Sequence, residues 1–164
     1  MEKNRKKLIG VVVIVVVLLL WFIGTKNSLV SLKEDVEMQQ SQIETTLQRR
    51  SDLIPNLVAT VKGYSNHEEK VFTEIADARS NLAGSIKSGD MDSISKASDD
   101  LDSALGRLLA ISENYPDLKA DKQFIALQDE LAGTENRIAV ARQHYNEKVK
   151  TYNTKIQSFP TSMI

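Results

Sequence analysis

The 164-residue chain contains no cysteine. That excludes a disulfide framework, a thiolate nucleophile, a cysteine-based metal site and a lipoprotein anchor. Aromatic residues make up only 5%, and β-branched residues are sparse outside the first segment, which disfavours a β-sandwich. There are three prolines, Pro55, Pro116 and Pro160, so long stretches are free to be helical. Beyond the N-terminus no cluster of Lys and Arg occurs. Glu2, Lys3, Arg5, Lys6 and Lys7 carry a net +3, which leaves 17 basic and 21 acidic residues, a net −4, on the rest of the chain. An acidic body is a poor partner for nucleic acid, whose phosphates demand clustered cations. A Gly-rich phosphate loop, a Ser-His-Asp set and an H-E-x-x-H motif are all missing.

What is present begins with one apolar run. From Leu8 to Ile23 no residue is charged, and only Gly10 interrupts the apolar side chains. A helix of about 16 to 20 residues rises roughly 24 to 30 Å, close to the hydrocarbon thickness of a bilayer. Lys6, Lys7 and Lys26 can snorkel to the head groups, and Trp21 and Phe22 fall where an aromatic belt would lie. A cleaved signal peptide has a similar basic start. However, the run exceeds the usual apolar region, and Phe22-Ile23-Gly24 lacks the small-residue cleavage pattern. A prepilin-type leader would want an acidic residue near Val15, and none is there. The reading is an uncleaved single span. It divides the chain into a basic segment 1–7, a transmembrane helix 8–24 and a helical domain 25–164. Lys3, Arg5, Lys6 and Lys7 outnumber Lys26 and Lys33, which favours a cytoplasmic N-terminus and an extracytoplasmic domain.

After this run, apolar residues recur at spacings of three and four. The first stripe runs through Leu29, Leu32, Val36, Ile43, Leu47, Ile54, Leu57, Val61 and Tyr64. A second comprises Val71, Ile75, Ala78, Leu82 and Ile86. A third comprises Met91, Ile94, Ala97, Leu101, Leu105, Leu108 and Ile111. The fourth comprises Phe124, Leu127, Leu131, Ile138, Tyr145, Val149, Tyr152 and Ile156. This is the period of amphipathic helices. Ser65-Asn66-His67-Glu68 reads as a capping box, Ser88-Gly89-Asp90 as a tight turn, and Asn114 before Tyr115-Pro116 as a helix end. Pro55 sits in phase within the first stripe, which predicts one long helix kinked there. The fold class expected is all-α: an N-terminal transmembrane helix plus an antiparallel up-down bundle of about four long helices. The tight turn at Gly89 argues against a free-standing coiled coil.

Several stretches carry a resemblance. Leu47-Gln48-Arg49-Arg50-Ser51-Asp52-Leu53-Ile54-Pro55-Asn56-Leu57-Val58 leads into Val61-Lys62-Gly63-Tyr64 and His67-Glu68. Later come Glu113-Asn114-Tyr115-Pro116-Asp117-Leu118-Lys119-Ala120, Leu127-Gln128, Glu130-Leu131 and Thr134-Glu135-Asn136-Arg137-Ile138. Ala141-Arg142, Tyr145-Asn146, Tyr152-Asn153 and Phe159-Pro160 close the series. In order and spacing these resemble the bacterial LemA family, over nearly the whole chain. The resemblance implies an N-terminal membrane helix, an antiparallel bundle and no established enzymatic activity. It also carries the opposite orientation, with the domain in the cytoplasm, so both orientations stand at this point. The chain departs from the family pattern at Gln39-Gln40-Ser41-Gln42-Ile43, where the family usually has an Ala-Trp pair before the Gln-Ile. The family also often continues beyond Phe159-Pro160 with an aromatic-rich tail.

Among polar residues, Arg50 is in phase with Leu47 and Ile54, and Glu135 lies between Leu131 and Ile138. A charge on a buried face must be paired, so an Arg50–Glu135 ion pair between helices is expected. The functional counterpart is an anion held by Arg49, Arg50, Arg137 and Arg142, because guanidinium suits carboxylate and phosphate. Di-metal bundle sites use a Glu-x-x-His pair. Here Tyr64 stands three residues before His67 and Ala141 three before His144, so no metal site is expected and Glu68 is assigned to capping. Asn114, Tyr115, Pro116 and Asp117 form a candidate recognition loop, or a stiff turn with Tyr115 over the end of the bundle. Asp99, Asp100 and Asp102 read as a solvated face, as does His144.

No catalytic, cofactor-binding or metal residues are assigned. The expectation is a non-enzymatic, membrane-anchored interaction or scaffold protein of the bacterial envelope, with protein partners and no cofactor. The alternative is an envelope sensor whose bundle binds a small anionic ligand.

Overall fold

The computed structural model describes residues 2–65 and 67–163, with side chains from Asn4 onward. Among the described residues all regular structure is helical. The helices are α1 (Glu2–Lys62), α2 (Glu69–Ser88), α3 (Met91–Ser112), the single turn α4 (Pro116–Lys119) and α5 (Lys122–Gln157). A 3₁₀ turn covers Thr161–Met163. The four long helices match the four stripes, and α4 is an addition nucleated by Pro116 in the first helical turn, where its missing N–H costs nothing.

The chain divides into two compact units, residues 40–142 and residues 1–39 with 143–164. In the first, the cross-helix pairings set the directions. Arg79 of α2 reaches back to Ser51 of α1, Arg107 of α3 to Glu74 of α2, and Glu135 of α5 to Arg50 of α1. Asp102 of α3 also meets Arg50. Those pairings describe an up-down-up-down order. The core is built from Ile43, Leu47, Ile54, Leu57 and Val61 of α1, and Phe72, Ile75 and Leu82 of α2. Ile94, Leu101, Leu105 and Leu108 of α3 and Phe124, Leu131 and Ile138 of α5 complete it, with Leu118 of α4 fully buried beneath the last connection.

Four local expectations need correction. Phe72, rather than Val71, takes the first core position of α2, one residue of phase that a short stripe cannot resolve. Thr134, not Glu135, occupies the core step between Leu131 and Ile138. It is buried because its hydroxyl donates to the Leu131 carbonyl at 2.7 Å. Tyr64 lies outside the core and is exposed. The capping box does not form. Glu68 is at the N-cap of α2 with no side-chain hydrogen bond, and Ser65 Oγ donates instead to the Tyr115 hydroxyl at 2.8 Å. Asn66, part of that expected box, lies outside the described residues.

Helix α1 runs through Pro55 without a break. Proline has no N–H to give to the carbonyl four residues earlier, so the buried Ser51 carbonyl has no helical donor at that position. Arg79 supplies one: its Nε donates to Ser51 O at 3.1 Å and to Ser51 Oγ at 3.2 Å. At the α2–α3 turn, Gly89 has φ +69°, which glycine adopts without a Cβ penalty. Asp90 caps α3 by accepting from the Ser93 N–H at 2.9 Å and from the Ser93 hydroxyl. Gln40, in the stretch that departs from the family pattern, donates to the Gly89 carbonyl at 2.9 Å.

The second unit pairs the early part of α1 with the end of α5. Lys148 Nζ meets Asp35 Oδ2 at 2.8 Å, and Leu29, Leu32, Val36, Tyr145, Val149 and Tyr152 are half-buried. In contrast, Leu8 to Ile23 are exposed throughout. Within α1 this region is long and apolar enough to cross a membrane.

Candidate functional site

The densest polar group in residues 40–142 is a charge cluster at mid-bundle. Leu47 and Ile54 are core residues three and four positions from Arg50, and that phase turns Arg50 inward until it is only 7% exposed. Its Nη1 donates to Glu135 Oε2 and lies 2.7 Å from Asp102 Oδ1. The second approach is a charge contact rather than an aligned hydrogen bond. Arg142 Nη1 stands 3.7 Å from Asp99 Oδ1 on α3. Two guanidinium groups thus face three carboxylates. Arg50 Nε and Arg142 Nη2 are buried without a partner in the protein.

Asp102 corrects the expectation of a solvated acidic face. It is half-buried, and burial raises its carboxyl above the ordinary value. Arg50 pulls the other way, Glu135 adds to the rise, Arg142 opposes it and Asp99 adds a little more. Of the other predicted members, Arg49 is exposed and pairs with Glu130 at 3.0 Å. Arg137 is exposed and takes no part. The predicted set therefore separates: Arg50, Glu135 and Arg142 belong to the cluster, while Arg49 and Arg137 do not. Asp102 was the missed member. Its signal, an acidic residue one position beyond the core residue Leu101, is visible only once the facing Arg50 is known.

A second polar group ties the connections at one end of the bundle. Tyr115 accepts from Ser65 as described, which places the predicted loop against the end of α1. Asn114, Pro116 and Asp117 are exposed. Tyr64 donates to Asp121 Oδ2 at 2.8 Å, and the other oxygen of Asp121 accepts from the N–H groups of Gln123 and Phe124 at 2.8 and 2.9 Å. Asp121 is thus the N-cap of α5. The Phe124 N–H, with Tyr64 and Gln123, holds its carboxyl below the usual range, and the bond to Asp121 raises the Tyr64 hydroxyl. Among the described residues no group of three or more His, Asp and Glu is placed to hold a metal ion. His144 is exposed, 3.7 Å from Glu147.

Four long helices, the first of which begins with an apolar stretch, define the class of protein. The model of the LemA family matches residues 39–164, and the chain belongs to that family. Magnetosome protein MamQ 2 of Paramagnetospirillum magneticum is 29% identical over 157 residues, covering 82% of this chain and 58% of that protein. MamQ of Magnetospirillum gryphiswaldense shows the same identity and coverage. Protein LemA of Metamycoplasma hominis is 28% identical over 145 residues, covering 87% of this chain and 64% of its own. The chain thus spans less than two thirds of the length of these relatives.

Proposed function

We propose that this LemA-family protein is a single-pass membrane protein whose bundle acts as a non-enzymatic scaffold for protein partners at the bacterial envelope. The observation that carries the anchor is the apolar stretch Leu8–Ile23, every residue of which is exposed among the described residues. An exposed apolar surface of that extent is stable only in a bilayer or against a partner. The basic bias of Lys3, Arg5, Lys6 and Lys7 supports a cytoplasmic N-terminus and an extracytoplasmic bundle. The scaffold reading is supported by the charge cluster, whose cations are opposed by carboxylates of the same bundle. Interaction then falls to the helix faces and to the Asn114–Asp117 connection. Photo-crosslinkers placed in the full-length protein at Lys96, Asn114 and Val140, all exposed, test this in native membranes. A discrete protein adduct recurring at neighbouring positions is expected; lipid adducts alone around the bundle would contradict it.

The buried, unpartnered Arg50 Nε and Arg142 Nη2 favour one second reading, a sensor that binds a small anion. The excess of carboxylates in the cluster weighs against it. Inorganic phosphate that raises the melting temperature of the native chain, but not of Arg142→Gln, would reverse that preference.

A further inference from the structure

The last described residues carry apolar side chains that remain exposed. After Lys155 the residues through Met163 are uncharged. Phe159 is 80% exposed and Met163 76% exposed. With Pro160 they line one open groove of about 870 Å³, whose other wall is Leu18, Trp21, Phe22 and Lys26 of α1. Part of the tail's polar backbone is satisfied internally. Ser158 N–H donates to Thr154 O, Ser162 N–H to Ser158 O and Met163 N–H to Pro160 O, at 3.0 to 3.1 Å. The Ser158 hydroxyl also donates to Thr154 O. Such a turn carries fewer bare polar groups to the membrane interface, where head groups and water can meet the rest.

The level of the groove decides what fills it. Leu18 lies five residues before Ile23, the last residue of the apolar run, so the groove begins about 8 Å inside that run at the helical rise. If α1 spans the bilayer, the groove cannot lie wholly in water. Its apolar floor opens onto acyl chains, while Trp21 and Lys26 fall at head-group depth. We propose that the C-terminal turn Phe159–Met163 is a second membrane contact, seated in the interface of the leaflet from which α1 emerges. The occupant of the groove is lipid. This rests on the reading of α1 as a span. The exit of α1 from the span and the turn Phe159–Met163 are then held at one membrane surface, and the turn adds interfacial apolar contact that a single helix lacks.

Tryptophan quenching tests the contact. Trp21 is the chain's one tryptophan, so the full-length native protein in phosphatidylcholine vesicles reports on α1 alone. The Trp21→Phe/Phe159→Trp protein reports on the turn, and the exposure of Phe159 leaves room for the larger ring. Trp21→Phe/Met163→Trp is an independent probe of the same surface. Lipids brominated near the head-group end of the chain are expected to quench both turn probes to within about two-fold of Trp21. Quenching of Trp21 with neither turn probe quenched would overturn the inference and leave the span standing; that result would also be given by a second copy or a protein in the groove. Absence of quenching at Trp21 as well would overturn the span reading, and the contact with it.

Discussion

Arg50 shows how a single side chain can hold three helices in register. Its buried guanidinium meets Asp102 on α3 and Glu135 on α5, so neither helix can slide by a turn without stranding a charge. Arg50→Met is expected to cost about 2 to 3 kcal/mol in urea unfolding of the detergent-solubilised protein. The value sits at the low side because both carboxylates retain some solvent access. Arg50→Met combined with Asp102→Leu should recover part of that loss. Equal loss in the single and double variants would mean the contact contributes no specificity.

The pH dependence of stability separates three carboxyls by sign. Asp90 and Asp121 have folded values below the ordinary 3.8. Their contribution is present above about pH 4 and is lost as pH falls through the folded values. Asp102 has a folded value above 3.8. Its contribution is present below 3.8 and is lost as pH rises through the folded value. Asp121→Asn should therefore flatten the acid limb of the melting-temperature profile below about pH 4, whereas Asp102→Asn should flatten the region just above it. Identical profiles for both variants would contradict these assignments. The inward phase of Arg50 was readable from Leu47 and Ile54. The partnership with Asp102 was not, because one position of helical phase among Asp99, Asp100 and Asp102 decides which acid faces inward. Thr134 taking the core position expected for Glu135 is the same kind of error: a hydroxyl that bonds its own helix can be buried where a carboxylate cannot.

Among the elements, α1 is the most demanding. It is continuous from Glu2 to Lys62 with proline at position 55, and a lone proline in a helix interior ordinarily kinks or breaks it. Arg79 offsets part of that cost by hydrogen-bonding the freed Ser51 carbonyl. A double-mutant cycle checks this. Arg79→Met is expected to lose about 1 to 3 kcal/mol in the native background. It should lose clearly less in Pro55→Ala, where the residue 55 N–H is restored and bonds Ser51 itself. Equal losses in the two backgrounds would show that Arg79 acts elsewhere. Helix number and the turn at Gly89 were readable because periodicity and glycine chemistry are local. The Arg79 contact was not, since an arginine bonded to a backbone carbonyl leaves no pattern until the two helices are placed. Asp121 left a readable cap signal, an Asp just before the helix and three residues before its first core side chain, Phe124. Ser65, expected to cap α2, instead bonds Tyr115 across the bundle, and no local rule anticipates that.

For the whole molecule, membership of the LemA family rests on residues 39–164, beyond the apolar run. The family match and the proposed membrane anchor therefore rest on separate parts of the chain, and the proposed orientation is a third line. A single cysteine introduced at the exposed Asp100 is chemically unique, because the native chain has none. A membrane-impermeant maleimide is expected to label Asp100→Cys in intact cells once any outer permeability barrier is opened. Labelling that requires lysis of the inner membrane would place the bundle in the cytoplasm and reverse the charge-based orientation.

The anchored-bundle reading stands or falls on whether Leu8–Ile23 is retained in the membrane. Alkaline washing of membranes that carry the native protein, followed by intact mass measurement, decides both parts at once. An integral protein is expected in the pellet with a mass that still includes Leu8–Ile23, these 164 residues alone accounting for 18.3 kDa. Release into the supernatant, or a mass lacking the apolar segment, would contradict the single-span anchor.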